Sequence, residues 1–134
     1  MVLLSIINRV KENVSKIILE KGYDKVNFVV EPSRSGFGDI TCNVAFLLAK
    51  SLRKTPQEIA QEFAGAYDTA QSKELNKAEA HQSGYLNFFL DTNSFNKTVL
   101  LESQKENYGS TDIGKNSKLV VEHTSVNPNK ALHI

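Results

Sequence analysis

Hydrophobic residues at the start of the chain recur every three or four positions, which predicts an amphipathic helix over residues 2–21. Gly22 then provides a typical helix stop. Residues 26–31 are rich in β-branched and aromatic side chains and predict a strand, whereas the proline, serines and glycines of residues 32–38 predict a loop. The predicted buried face of the helix is Leu3, Ile6, Ile7, Val10, Val14, Ile17 and Ile18.

Two further helices are predicted in the middle of the chain. One begins near Asp39 or Thr41, either of which can cap it. The other begins at residues 55–58, Thr-Pro-Gln-Glu, where the threonine can cap, the proline suits the first turn and the glutamate can complete a capping box. The predicted buried residues are Val44, Leu47, Leu48 and Leu52 in the first helix, and Ile59, Phe63 and Tyr67 in the second.

Residues 75–81 and 84–91 predict two strands joined by a tight turn. The second strand alternates, so that Leu86, Phe88 and Leu90 face one way while Tyr85, Asn87 and Phe89 face the other. A fourth helix is predicted over residues 93–107. These elements predict an α+β fold, in which helices pack on a small antiparallel or mixed sheet of about four strands.

The character of the sequence changes near residue 117. Residues 110–117 are polar and predict a linker, after which Leu119, Val120 and Val121 form a continuous apolar run. Such a run is typical of a strand buried on both faces of a parallel sheet. We therefore expect a first domain over residues 1–117, and over residues 118–134 the start of a second domain that is too short to bury a core.

Charge and cysteine content narrow the function classes. With 16 Lys and Arg against 15 Asp and Glu, the net charge is +1. The domain is therefore not expected to bind nucleic acid tightly through charge alone. No apolar run is long enough to span a bilayer, and the N-terminus does not read as a signal peptide. The single cysteine, Cys42, cannot form an internal disulfide and has no partner at metal-ligand spacing. We expect a reducing, cytoplasmic compartment, no membrane association and no metal site.

The last residues carry the densest set of polar groups. Glu122, His123, Ser125 and Asn127 follow the predicted strand, at the edge where open α/β sheets bind ligands. A helix beginning after them would offer backbone N–H groups to a phosphate. The alternative is a solvated turn without function, which is the commoner meaning of such a loop.

Residues 122–134 read Glu-His-Thr-Ser-Val-Asn-Pro-Asn-Lys-Ala-Leu-His-Ile. This segment resembles the approach to the class I synthetase signature His-Ile-Gly-His, in the form found in arginyl-tRNA synthetases. The glycine and second histidine of that signature are absent, so a truncated catalytic domain with a Rossmann-like fold is expected. Upstream, residues 38–45, 84–88 and 108–109 resemble elements of the family's additional N-terminal domain: Gly-Asp-Ile-Thr-Cys-Asn-Val-Ala, Gly-Tyr-Leu-Asn-Phe and Tyr-Gly.

The resemblance implies roles for the final segment. His133 would be catalytic and hold ATP, and Lys130 would face its phosphates. The arginine substrate would contact Ser125 and Asn127, with Glu122 facing its positive charge. His123 has no implied role. ATP, with Mg2+, would serve the full-length enzyme, whereas the fragment alone is expected to need no cofactor and to be inactive.

The resemblance also implies that Tyr85 and Asn87 contact the D-loop, at the corner of the tRNA. Two residues apart on a strand, they share a face and lie about 7 Å apart. If both point to solvent, the ring can stack on an unpaired base and the amide can bond its edge. The alternative is an exposed aromatic side chain on an edge strand with no partner.

The implied protein is an arginine–tRNA ligase, with tRNA, L-arginine and ATP as partners and a monomeric full-length form. Two other hypotheses remain open. One is a stand-alone RNA-binding or regulatory module derived from such a domain, and the other is an interaction protein without an RNA role. Gly38, Asp39 and Asn43 are expected to be structural, and Cys42 is expected to be a buried thiol.

Overall fold

The computed structural model describes residues 2–34, 36–110, 112 and 114–121. Four strands form one antiparallel sheet in the order β1-β2-β4-β3, and helices pack against it. The α+β prediction is therefore confirmed. The elements are α1 (Val2–Glu20), β1 (Val30–Pro32), β2 (Ile40–Cys42), α2 (Val44–Leu52), α3 (Pro56–Ala66), a 3-10 turn (Thr69–Gln71), β3 (Leu75–Ala80), β4 (Leu86–Leu90) and α4 (Thr92–Ser103). Among these residues, no helix is both long and apolar enough to cross a membrane.

The hydrophobic core lies between one face of the sheet and helices α1, α2 and α3. The predicted buried face of α1 is confirmed for Ile6, Val10, Val14, Ile17 and Ile18, while Leu3 and Ile7 are partly buried. The sheet contributes side chains from its two inner strands, which are fully buried: Ile40, Cys42, Leu86 and Phe88. The largest side chain of α3, Phe63, is also completely buried, as the three- and four-residue spacing predicts.

The start of α3 is confirmed in detail. The Thr55 hydroxyl accepts a hydrogen bond from the backbone N–H of Glu58 at 3.3 Å, and the Glu58 carboxylate accepts one from the Thr55 N–H at 2.8 Å. This reciprocal pair satisfies two helix-end donors that would otherwise lack partners. The backbone bond from Thr55 is also the main reason that the pKa of Glu58 is lowered.

The pairing of β2 with β4 sets both faces of the sheet. Ile40 lies opposite Phe88, and Cys42 lies opposite Leu86 on the core side. Because side chains alternate along a strand, the intervening pair, Thr41 and Asn87, projects to the opposite face, which we call the outer face. On that face one row crosses all four strands: Glu31, Thr41, Asn87 and Glu79.

The middle of the chain differs from the sequence predictions. Only the end of the strand predicted at residues 26–31 forms, because β1 begins at Val30. A helix beginning at Asp39 or Thr41 is wrong: this segment is β2, and α2 begins at Val44 after Asn43. Asp39 does not cap that helix; its carboxylate accepts from the backbone N–H of Leu90 at 2.8 Å.

Three smaller predictions also need correction. Leu47 is 41% exposed, so the buried face of α2 is Val44, Ala45 and Leu48. Helix α4 ends at Ser103, short of the predicted residue 107. Residues 119–121 form no strand and are at least 80% exposed, since a strand of this apolar type needs neighbours on both sides and the described residues offer none.

The turn between β3 and β4 is held against the start of α3. Gly84 has φ +96°, and a Cβ placed there would lie 2.5 Å from the Cβ of Pro56. The turn is closed by hydrogen bonds from Gly84 N–H to the His81 carbonyl and from His81 N–H to the Tyr85 carbonyl. Glycine is therefore required here both by backbone conformation and by close approach.

Glu62 on α3 joins three parts of the molecule. Its carboxylate pairs with Lys21 at the end of α1 and with Lys54 before α3, and it accepts a hydrogen bond from the Tyr23 hydroxyl. The bond from Tyr23 is the first cause, and that from Lys21 the second, that lowers the pKa of Glu62 from 4.5 to about 2.

We expect Glu62→Gln to reduce the free energy of unfolding at neutral pH by about 1–2 kcal/mol, after allowance for solvent screening. Because the pKa is depressed in the folded state, this contribution is present above pH 4.5 and is lost as the pH falls toward about 2. Urea unfolding followed by circular dichroism across this range measures it. Glu12→Gln, on the exposed side of α1, is the matched control. An equal loss at the acid and neutral ends would contradict the assignment.

We expect Gly84→Ala to destabilise the protein by about 2–4 kcal/mol, because the methyl group meets Pro56 and the left-handed backbone is strained. Thermal unfolding measures this loss. Gly65→Ala is the control, since a Cβ at Gly65 on α3 meets nothing within 4 Å. Equal melting temperatures for Gly84→Ala and the unaltered protein would show that the turn does not press on α3.

Candidate nucleic-acid interface

The outer face of the sheet contains a depression of about 270 Å³, which we call the Tyr85 depression. Strand β4 supplies its floor, and two loops supply its walls: residues 33–37, which follow β1, and residues 81–85, which precede β4. Tyr85 and Asn87 therefore contribute to one site, as their spacing predicts. The lining groups used below are Arg34, Phe37, Thr41, His81, Tyr85 and Asn87.

Asn87 forms the floor of the Tyr85 depression. Its side-chain oxygen accepts a hydrogen bond from the Thr41 hydroxyl at 2.8 Å. Within the described residues the amide nitrogen has no hydrogen-bond partner, and it is not enclosed. The amide is thus held at its oxygen and can donate through its nitrogen.

The prediction that both side chains point freely to solvent is wrong for Asn87, which is only 5% exposed. The reason is the strand order: β4 is an inner strand, so Asn87 lies between Thr41 and Glu79 rather than at an edge. The backbone of Gly38 also crosses close above it, since a Cβ at Gly38 would come within 3.3 Å of the Asn87 Cβ. Tyr85 precedes this inner strand, so the edge-strand position assumed in the alternative interpretation is wrong too.

Tyr85 stands at the rim of the depression and is 41% exposed. Its ring meets Phe46 of α2 edge to face, with centroids 4.8 Å apart and planes at 64°. Part of the Tyr85 ring therefore packs against Phe46, while part of its surface stays open. Edge-to-face contact of this kind is a favoured arrangement of aromatic rings and helps to orient Tyr85.

Phe37 and His81 form the opposite wall, and the sequence did not indicate either of them. Their rings lie 4.5 Å apart, edge to face. The His81 Nδ1 is 2.6 Å from the Ser83 hydroxyl, which holds the ring in place. A lone aromatic residue between two glycines and a histidine at a turn give no periodic signal, so only the fold brings them together.

Several residues of the resembling motif have structural roles, as expected. Gly38 has φ +100°, and Asp39 binds the end of β4. The Asn43 side chain accepts from the backbone N–H of Val29 at 2.8 Å. Cys42 is fully buried, and burial raises the pKa of its thiol to about 12. Among the residues that the structure describes, no group of three His, Cys, Asp or Glu side chains is arranged to hold a metal.

The predicted catalytic and substrate residues lie outside the described part of the chain: Glu122, Ser125, Asn127, Lys130 and His133. Among the described residues, the Tyr85 depression is the site that contains the predicted tRNA-contacting residues Tyr85 and Asn87. It offers a partly open aromatic ring, an amide donor and an apolar opposite wall, with Arg34 at its margin. This combination suits a flat heteroaromatic group that stacks on the ring and accepts a hydrogen bond at its edge.

Comparison with known proteins identifies a family whose model matches this chain. Residues 4–90 match the family model described as the arginyl tRNA synthetase N terminal domain. The matched span runs from α1 to the end of β4, so it contains the whole sheet and the Tyr85 depression. The shared region is therefore the part of the molecule that builds the candidate site.

Individual relatives agree with this match. The arginine–tRNA ligase of Pyrococcus furiosus is 42% identical over 132 residues, which cover 95% of this chain and 21% of the relative. That of Methanocaldococcus jannaschii is 37% identical over 132 residues, covering 97% of this chain and 22% of the relative. The chain thus spans about a fifth of the length of these proteins.

Among solved structures, the arginyl-tRNA synthetase of Thermus thermophilus is similar, with a TM-score of 0.61 and 30% identity. The similarity covers 70% of this chain and 15% of the Thermus chain. The family match at residues 4–90 includes the sheet and its outer face. The chain therefore belongs to the family of arginyl-tRNA synthetase N-terminal domains.

Proposed function

We propose that this chain binds the D-loop, at the corner of the arginine tRNA, and reads one unpaired base in the Tyr85 depression. The base stacks on the ring of Tyr85, and the amide nitrogen of Asn87 donates a hydrogen bond to its edge. The single observation that carries the proposal is the pairing of a half-open aromatic ring with an outward-facing amide donor in one depression.

The shape of the site favours RNA loops over duplexes. Sequence-specific proteins usually read RNA at unstacked bases of loops, which can enter a recess between side chains. Here the floor is a neutral amide, so recognition depends on stacking and hydrogen bonding more than on charge. With a net charge of +1, binding by this chain alone is expected to be weak.

For a protein of the relatives' full length, we propose arginine–tRNA ligase activity. The arginine carboxylate attacks the α-phosphorus of ATP and releases pyrophosphate, and a terminal ribose hydroxyl of the tRNA then takes the arginyl group and releases AMP. ATP with Mg2+ is the proposed nucleotide, and a monomer in the cytoplasm is the proposed form.

Residues beyond the described part of the chain have proposed roles in this reaction. His133 and Lys130 stabilise the phosphates of ATP, while Ser125 and Asn127 contact arginine and Glu122 faces its positive charge. The proposal rests on the motif in residues 122–134 and on the match to arginine–tRNA ligases. Electrostatic stabilisation of this kind is commonly a large part of catalysis.

We expect Tyr85→Ala to weaken binding of the arginine tRNA about tenfold, because a stacked base is lost. Fluorescence anisotropy of labelled tRNA at low salt measures the affinity of the 134-residue chain. Tyr85→Phe keeps the ring and is expected to keep most of the affinity. Tyr108→Ala removes an exposed aromatic ring elsewhere and serves as the control. Unchanged affinity for Tyr85→Ala would remove the basis of the proposal.

We expect Asn87→Ala to weaken binding about fivefold to tenfold, since one hydrogen bond to a base is lost. Thr41→Val separates positioning from contact, because it removes the hydroxyl that orients the amide while leaving the amide present. An intermediate loss is expected for Thr41→Val. Thermal unfolding of each variant checks that the sheet is intact. Normal affinity in both folded variants would leave Asn87 without a role in recognition.

In a full-length protein, we expect His133→Ala to reduce the rate of arginine-dependent ATP–pyrophosphate exchange, measured with tRNA present, by about 100-fold. His123→Ala is the matched control, since it removes a histidine of the same segment that has no proposed role. Equal rates for both variants would overturn the catalytic assignment of His133. Because Tyr85 and Asn87 are tested by binding, that result would leave the tRNA proposal standing.

A further inference from the structure

The outer face carries a second depression beside the first, also of about 270 Å³, which we call the Phe89 depression. It lies toward β3, whereas the Tyr85 depression lies toward β1 and β2. The two depressions share three side chains, so they are adjoining compartments of one surface. The residues that matter below are Phe37, Lys77, Glu79, His81, Asn87 and Phe89.

Phe37 stands between the two compartments. Its side chain is 54% exposed and does not belong to the hydrophobic core, so packing does not account for it. Its edge-to-face contact with His81 helps to orient the ring. A single exposed phenylalanine is unremarkable by itself. This one lines both depressions, with Tyr85 on one side and Phe89 on the other.

The charges in the Phe89 depression balance. Lys77 and Glu79 form an ion pair, and the Lys77 ammonium also lies 4.3 Å from the centroid of the Phe89 ring. The compartment therefore presents aromatic surface without a net charge, which suits a base better than a phosphate. Arg34, at the margin of the Tyr85 depression, forms no ion pair among the described residues and can meet a backbone phosphate.

We propose that the outer face holds two consecutive unpaired nucleotides of the RNA loop, one base in each depression. The first base occupies the Tyr85 depression, and its neighbour stacks on Phe37 in the Phe89 depression, with Asn87 at the shared floor. This proposal rests on the proposed function, because it assumes that RNA occupies the Tyr85 depression. It adds a second nucleotide and assigns Phe37 a direct contact with RNA.

The test couples protein variants with abasic RNAs. The probe is the D-arm stem-loop of the arginine tRNA, either intact or with one abasic nucleotide at each loop position in turn, and anisotropy gives the affinity of the 134-residue chain. Tyr85→Ala identifies the nucleotide whose base occupies the Tyr85 depression. When that nucleotide is abasic, Tyr85→Ala no longer weakens binding of the RNA. Phe37→Ala is expected to weaken intact RNA about tenfold and to have no further effect on RNA that is abasic at an adjoining position.

Two controls separate the causes of a loss. Phe37→Leu keeps apolar bulk without a ring and is expected to bind RNA nearly as weakly as Phe37→Ala. Lys77→Met removes the ammonium beside Phe89 and is expected to change affinity less than Phe37→Ala does. Since Phe37 is exposed, each variant is expected to melt at the temperature of the unaltered protein, and circular dichroism verifies this.

The outcomes distinguish the two proposals. If Tyr85→Ala weakens binding and Phe37→Ala does not, the single-base function stands and the second compartment is not an RNA site. If Phe37→Ala weakens every RNA equally, including those abasic at the adjoining positions, Phe37 does not contact a second base and the inference is overturned. If neither variant weakens binding, the proposed function itself fails. The inference is supported if Phe37→Ala loses its effect on RNA that is abasic at the nucleotide next to the one identified with Tyr85→Ala.

Discussion

The antiparallel pairing of β2 with β4 is the contact on which the rest of this structure depends. It joins residues 40–42 to residues 86–88, and the segment between them contains α2, α3, the 3-10 turn and β3. Ile40 and Phe88 become the centre of the core through this pairing. Because side chains alternate, the same register that buries them turns Thr41 and Asn87 to the outer face. The same register therefore places both the core residues and the candidate-site residues. A shift in the pairing of β2 with β4 would displace both sets together.

Local signals in the sequence were sufficient for the long helices and the β3–β4 hairpin. Helix α1 carries a continuous apolar stripe, and α3 has a complete capping box at Thr55, both of which are decided by near neighbours. Strand β2 was missed because three residues are too short to show alternation, and Asp39 and Thr41 also suit a helix cap. That segment is a strand only because β1 and β4 lie on either side of it, which is information from distant residues.

For the candidate site too, the sequence predicted what local spacing determines and missed what depends on distant residues. Alternation placed Tyr85 and Asn87 on one face, and this follows from β4 alone. The burial of Asn87 depends on strand order and on the loop that carries Gly38, and local spacing encodes neither. Phe37 belongs to that loop and reaches the site only through the fold.

Ion pairs join separate elements of the fold: Glu62 of α3 pairs with Lys21 and Lys54, and Arg9 of α1 pairs with Glu74 next to β3. None of these charged residues lines the Tyr85 depression, where the proposed recognition depends mainly on a ring and an amide.

Because the thiol of Cys42 is buried, its chemical labelling can report when the sheet opens. Cys42 lies on the core side of β2, and burial keeps its pKa near 12, so the native form offers neither access nor thiolate to an alkylating reagent. Since the sequence contains one cysteine, thiol labelling reports only on exposure of this position in β2. The rate of labelling then measures how often this part of the sheet opens, and a ligand bound in the Tyr85 depression, which Thr41 of the same strand lines, is expected to slow it.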